Sequence, residues 1–308
     1  MSKRKILITG GNGFIGRRIC EECNKNGDDF LVVGKNDQNV PFPYKCISAD
    51  ILDKDSIRKI VSDYRPDAVI HLAGIAAPVN FDFSQLYQVN VLGTEYMLDV
   101  MSETLDEHTR FVVTSTAGVY GNQEEKFLNE SLAPDPVNHY SFSKMITEVL
   151  TKHKSDYLDT CIVRPFTVVG AGQTPRFFVP KLVKMFAEEN KEINVGNLEA
   201  VRDYVHVDYC AKVIYDIATS DSFPKGIMNI CSGEEYSCSD VIDKLISLTG
   251  FHPNINSTTE FIRTNEIWRL VGDKTKLNEF VKGRYECKSL EDVLREMLEN
   301  YSIAEKTR

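Results

Sequence analysis

The segment "KILITGGNGFIGRR", residues 5–18, is an apolar run that stops in a glycine cluster and then opens a helical pattern. Three glycines at this spacing restrict the chain more than any other feature. Gly10 permits a tight turn, Gly13 lets the main chain approach a pyrophosphate, and Gly16 lets the first helix pack closely on the strand. The helix that follows presents unpaired N–H groups and the positive end of its dipole to an anion. The pattern predicts a dinucleotide-binding βαβ unit.

The remainder of the chain agrees with that start. Strand-type segments at 5–9, 30–33, 45–48, 68–72, 110–115 and 160–164 alternate with helical patterns at 14–26, 55–63, 84–105 and 140–154, as a parallel sheet with crossover helices requires. After Pro165 the order loosens, with helical patterns at 176–189, 207–218, 237–249 and 289–301 and a short strand at 227–230. A length of 308 residues and a hydrophobic content of 42% suit one large α/β domain or two fused ones. The net charge of −9 argues against nucleic-acid and anionic-membrane partners, which need a basic face. No apolar run approaches the ~20 residues of a membrane span, so the expected location is cytoplasmic. The eight cysteines are scattered through expected helices and strands, which suits reduced thiols. Cys20 and Cys23 form a C-x-x-C with no second Cys or His pair at ligand spacing, so they read as helix residues and no metal site is expected.

The end of the second strand decides the cofactor. An NAD site places Asp or Glu there to accept from the ribose 2′-hydroxyl. Here the place falls on Gly34, followed by Lys35. A small residue leaves room for a 2′-phosphate and the ammonium pairs with it, which predicts NADP(H). Arg17 or Arg18 would assist, and Asp37 is the alternative, a ribose carboxylate from further along the loop. Asp50, in "SADILD", is the candidate for the adenine amino group, with helix capping as its other reading.

The chemistry is expected from "NHYSFSKMITE", residues 138–148, where Tyr140 and Lys144 share a helix face at i,i+4. An ammonium beside a phenol is expected to lower the phenol's pKa and make it a usable acid or base. Ser115 and Thr116, at the end of the strand in "VVTSTAGVYG", carry hydroxyls suited to a substrate oxygen. His71 and His206 have no partner at ligand spacing and read as structural.

These pieces, with "VIHLAG", "VNVLGT", "RPFTVVGAGQ" and "RDYVHVD", resemble the extended short-chain dehydrogenase/reductases, the NAD(P)-dependent epimerase/dehydratase family, over nearly the whole chain. The resemblance implies a doubly wound parallel (Rossmann) sheet over residues 1–165 and a smaller C-terminal α/β substrate domain over 166–308. The segment near 203–232 is expected to return to the first sheet. It implies Tyr140 as acid/base, Lys144 as anchor of the nicotinamide ribose and Thr116 as the hydrogen-bonding partner of the reacting oxygen. Gly10, Gly13, Phe14, Ile15, Gly16, Ile51, Ala73, Gly74 and Asn90 fall at cofactor-wall positions, and a homodimer through two helices of each subunit is implied. Sugar-nucleotide dehydratases of this family carry acidic residues directly after the Ser/Thr; Ala117 and Gly118 stand there, which leaves an elimination no proton path. The C-terminal half is most similar to reductases of nucleotide-linked 4-keto-6-deoxyhexoses. Thr167 replaces their usual Asn, and Arg202 and Arg263 match their diphosphate-binding arginines, each with a surface ion pair as its other reading. The expected activity is NADPH-dependent reduction at C4. The alternatives are an NAD-dependent 4-epimerase and a non-catalytic NADP(H)-binding regulator.

Overall fold

The computed structural model describes residues 4–35, 42–76, 82–257 and 266–306, so Asp37 and Arg263 lie outside the described residues. The first half runs β1 (Lys5–Thr9), α1 (Phe14–Asn26), β2 (Asp29–Gly34), β3 (Cys46–Ser48), α2 (Lys54–Tyr64), β4 (Ala68–His71), α3 (Phe83–Tyr87), a π-helical turn (Gln88–Leu92), α4 (Gly93–Thr104), β5 (Arg110–Thr114), α5 (His139–His153) and β6 (Asp159–Pro165). It continues with β7 (Thr167–Val169), α6 (Phe178–Ala187), β8 (Glu192–Val195), β9 (Val201–Arg202), β10 (Tyr204–His206), α7 (Val207–Thr219) and β11 (Gly226–Ile230). The last stretch holds β12 (Tyr236–Ser237), α8 (Cys238–Thr249), β13 (Asn254–Ser257), β14 (Arg269–Leu270), α9 (Thr275–Val281) and α10 (Leu290–Lys306).

Local chemistry accounts for the helix ends. Asp53, Asn138 and Ser237 cap α2, α5 and α8 through side-chain oxygens, each meeting a backbone N–H of the first turn. Helix α1 begins at Gly13 with no capping side chain and ends at Gly27, whose φ of 69° closes the last turn. Its buried face carries Gly16, Ile19, Cys20 and Cys23. The C-x-x-C pair is therefore core, and burial pushes the Cys20 thiol up to about 12.

The expected single helix at 84–105 is broken by the π-helical turn at Gln88–Leu92. One extra residue in that turn carries Asn90, which is buried and hydrogen-bonds both backbone groups of Ile75, an anchoring that periodicity cannot reveal.

Seven strands form one sheet in the order β11-β6-β5-β4-β1-β2-β3, and the pairs from β3 through β6 are parallel. This is the doubly wound arrangement, and the direction of strand succession reverses between β1 and β4. At that point the backbones nearly touch: a Cβ on Gly10, whose φ is +69°, would stand 2.9 Å from the Ala73 nitrogen.

Chain contacts divide the protein into two units. The first comprises Met1–Val119, Asn138–Arg164 and Cys210–Met228; the second comprises Tyr120–Val137, Pro165–Tyr209 and Asn229–Arg308. In the first, Leu7, Val33, Val69, Phe111 and Val113 of the sheet pack with Ile57, Val61, Met97 and Met101 of the helices. In the second, α6, α8 and α10 supply Leu182, Phe186, Leu245 and Leu294 to a separate core beside short two- and three-stranded sheets.

Close packing at Gly16 carries a stability prediction. A Cβ on Gly16 would lie 2.4 Å from the Gly10 carbonyl oxygen and 2.6 Å from the Gly11 Cα, both backbone atoms. Gly16→Ala should cost about 1–3 kcal/mol of unfolding free energy, measured by urea denaturation. An unchanged midpoint would show that α1 and the glycine loop can separate freely.

Candidate active site

Tyr140 and Lys144 both project from α5, which is held at its start by Asn138 Oδ1 accepting from the Ser141 N–H. Lys144 is only 7% exposed, and its ammonium donates to the Thr114 carbonyl at 2.8 Å. Burial lowers its pKa to about 8, while the Glu148 carboxylate pulls the other way. Tyr140 departs from expectation. Burial pushes its pKa up to about 12, opposed by a hydrogen bond with Thr116, and Lys144 is not among the causes. The ammonium spends itself on the Thr114 carbonyl, so in this state the desolvation of the phenol outweighs any help toward phenolate. Tyr140 is thus a group that keeps its proton.

Thr116 lies just beyond β5, half-buried, with its Oγ1 accepting from the Gly118 N–H at 3.1 Å. A Cβ on Gly118 would fall 2.7 Å from Ser141 Oγ. A side chain at that place would require the Ser141 hydroxyl to shift. Ser115 corrects the expectation of a substrate-facing hydroxyl. It is 2% exposed and donates to Glu148 Oε1 at 2.6 Å. Glu148 also accepts from Arg164, with Nε at 2.8 Å and Nη2 at 2.6 Å, and both side chains are buried. Sequence reading missed this cluster. Glu148 stands four residues after Lys144, yet a carboxylate at that spacing normally reads as solvent-facing, and its partner sits on β6.

On the cofactor side, the glycine loop joins β1 to α1, and Phe14 and Ile15 form the half-buried start of that helix. A Cβ on Gly74 would meet Asn90 Oδ1 at 3.1 Å and Lys144 Nζ at 3.2 Å, so Ala73–Gly74 runs beside Lys144. Ile51 is buried, with its side chain against Gly93. Gly34 ends β2 with space for a side chain limited chiefly by Asn12 Oδ1 at 3.3 Å. Lys35 and Asp50, read separately from sequence, form an ion pair with each other at 2.8 Å, and the lysine side chain is 70% exposed. Arg17 donates to the Asn12 carbonyl and lies over the Phe42 ring, and Arg18 pairs with Glu21.

In the second unit, Thr167 opens β7 and its N–H donates to the Asp203 carbonyl. Arg202 is ion-paired with Glu266 at 3.5 Å. Asp203, which the sequence did not single out, accepts from the N–H groups of Ser232, Gly233 and Gly272 and from Ser232 Oγ, gathering three loop segments. Among the described residues no helix is long and apolar enough to cross a membrane.

Lys144 yields a pH-dependent prediction. The unfolded chain titrates it near its ordinary 10.5 and the folded protein at about 8. Below that window both forms are charged and the folded state bears the burial of the ammonium. Inside it, the folded protein has released the proton that the unfolded chain still holds, so this residue's contribution to stability rises with pH. Lys144→Met should therefore be more stable than the parent at pH 7, by on the order of 1–3 kcal/mol, and the gap should narrow toward pH 10. Paired urea melts measure it; a less stable variant at pH 7 would refute the assignment.

Residues 6–231 match the model of the NAD dependent epimerase/dehydratase family. The chain is 33% identical to a GDP-6-deoxy-D-talose 4-dehydrogenase of Aggregatibacter actinomycetemcomitans, covering 96% of this chain and 97% of the relative. It is 26% identical to a GDP-6-deoxy-D-mannose reductase of Pseudomonas aeruginosa, over 97% of each. Among solved structures, the UDP-glucose 4-epimerase of Thermotoga maritima with UDP-glucose superposes with a TM-score of 0.85 at 26% identity, covering 97% of this chain and 99% of that one. With the sheet order, the glycine loop and the family match in agreement, the chain belongs to the NAD dependent epimerase/dehydratase family.

Proposed function

We propose that the protein reduces the C4 ketone of a nucleotide-linked 4-keto-6-deoxyhexose with NADPH, giving a nucleotide 6-deoxysugar. What carries this reading is similarity over nearly the full length to two proteins named for oxidation or reduction of GDP-6-deoxyhexoses.

The residues present fit a dinucleotide. Helix α1 has neither a capping side chain nor an acid in its first turn, which leaves its N-terminus to a pyrophosphate, whereas α2 and α5 are capped by Asp53 and Asn138. When bound, NADPH supplies the hydride that adds to C4. Tyr140 then donates its phenolic proton to the oxygen that becomes the C4 hydroxyl, and solvent restores it. Thr116 hydrogen-bonds that same oxygen and sets its distance from the phenol. Lys144, charged below about 8, would hold the nicotinamide ribose.

Tyr140→Phe should lower kcat by at least about a hundredfold while the NADPH dissociation constant stays within about twofold. Near-normal turnover in that variant refutes the assignment. The superposition on a 4-epimerase favours a second reading, in which the same side chains serve a retained NAD. Purified protein that carries tightly bound NAD and interconverts nucleotide sugars without consuming NADPH would establish it. The panel for both assays is NADPH consumption against GDP-, dTDP-, UDP- and CDP-linked 4-keto-6-deoxyhexoses.

Cofactor choice is tested at Gly34 and Lys35. Binding of a 2′-phosphate by Lys35 exchanges its contact with Asp50 for one with the phosphate. Because the lysine side chain is 70% exposed, the gain is modest: Lys35→Ala should raise the KM for NADPH roughly fivefold at low salt and leave that for NADH unchanged. Gly34→Asp should reverse the preference. A parent enzyme that uses NADH as well as NADPH would overturn this part of the reading.

A further inference from the structure

Thr9 and His71 are register partners on β1 and β4, and both are buried, at 0% and 2% exposure. His71 Nδ1 lies 2.8 Å from Thr9 Oγ1, and its Nε2 lies 3.1 Å from Thr94 Oγ1. The Thr94 hydroxyl proton is already committed, because it donates to the Asn90 carbonyl at 2.7 Å. Thr94 Oγ1 can therefore only accept from the imidazole, so Nε2 carries the hydrogen. Nδ1 then accepts from the Thr9 hydroxyl, whose lone pair receives the Ala73 N–H at 3.2 Å. Every donor and acceptor in this chain has one assignment.

The chain continues past Asn90. Its side-chain oxygen accepts from the Ile75 N–H at 2.7 Å, and its amide donates to the Ile75 carbonyl and to Ser143 Oγ. Ser143 Oγ in turn donates to the Tyr140 carbonyl at 2.7 Å. Two runs of directed hydrogen bonds thus meet at Asn90: one leads from the Ala73 N–H through Thr9, His71 and Thr94 to the Asn90 carbonyl, the other from the Asn90 side-chain amide through Ser143 to the Tyr140 carbonyl in the turn of α5 that carries the phenol. The Phe111 ring packs beside the imidazole, with centroids 5.6 Å apart.

We propose that His71 is a positioning residue for the hydride-transfer site: as the Nε2–H tautomer it locks the strand end before the glycine loop to the Asn90 segment and the Tyr140 turn. This rests on the assignment of Tyr140 and Lys144 given above. A leucine of similar size would leave the hydroxyls of Thr9 and Thr94 buried without their partner, and a charged imidazole would turn a hydrogen toward a hydroxyl that must itself donate. Burial and the Lys144 charge hold the ring neutral, with a pKa lowered to about 3.

Two variants separate the ends of the chain. His71→Asn keeps an acceptor toward Thr9 and loses the donor toward Thr94; its single-turnover transfer rate with pre-bound NADPH should fall roughly tenfold, with the NADPH dissociation constant within about threefold. His71→Gln keeps the donor toward Thr94 and loses the acceptor toward Thr9; NADPH binding should weaken roughly tenfold, with the transfer rate within about threefold. In parallel, 15N-histidine NMR of the parent, with His71 identified by its loss in His71→Gln, should show a neutral Nε2–H ring unchanged from pH 6 to 9. Both variants losing rate and binding together in proportion to lowered melting temperature, or an Nδ1–H ring, would overturn the proposal. Lack of turnover with every 4-ketosugar would instead fall on the reductase reading, because NADPH binding and the NMR signature need no sugar.

Discussion

The joining of β5, β6 and α5 in the first unit depends on one buried carboxylate. Glu148 accepts three hydrogen bonds, two from Arg164 and one from Ser115, so β6, the end of β5 and α5 meet on a single group. Such a pair gives little net stability against an apolar replacement, yet removal of one member leaves a buried charge and costs about 3–5 kcal/mol. Its effect is geometric. Ser115, which also donates its N–H to Val163, is held between neighbouring strands, and Thr116 follows directly from it. The position of Thr116 is thus set by the hydroxyl of the buried Ser115.

The same region accepts electrostatic cost in return for chemistry. Lys144 is kept out of water beside the Thr114 carbonyl, and Tyr140 is kept protonated by the same dryness. Glu148, one turn further along α5, offsets part of the penalty on the ammonium. At the same carboxyl end of the sheet, the uncapped start of α1 leaves backbone donors that favour an anion, in a chain whose net charge is −9.

The strands of the first half were legible because each is an apolar run between glycines or polar turns, and β1, β4 and β5 fall within a residue of their expected ends. Tyr140, Lys144 and the glycine loop were legible for a similar reason: their chemistry is carried by spacing along one element. The strands of the second half, most of two to four residues, were not, since so short a segment has no period to read. Nor was the π-helical turn, which keeps the composition of a helix and changes only its phase.

The sequence by itself determined the order of strands and long helices in the first half, the glycine loop, the i,i+4 pair on α5 and the lack of an acid at Ala117 and Gly118. These are one-dimensional facts, fixed by period and by the steric freedom of glycine. Only the tertiary structure decided that Lys35 pairs with Asp50, that Ser115 turns inward to Glu148, that Tyr140 keeps its proton and that His71 stands between two threonines. Each of those depends on desolvation and on partners 15 to 62 residues away, and a hydrogen bond or a pKa is set by the neighbours that folding brings within about 3 Å.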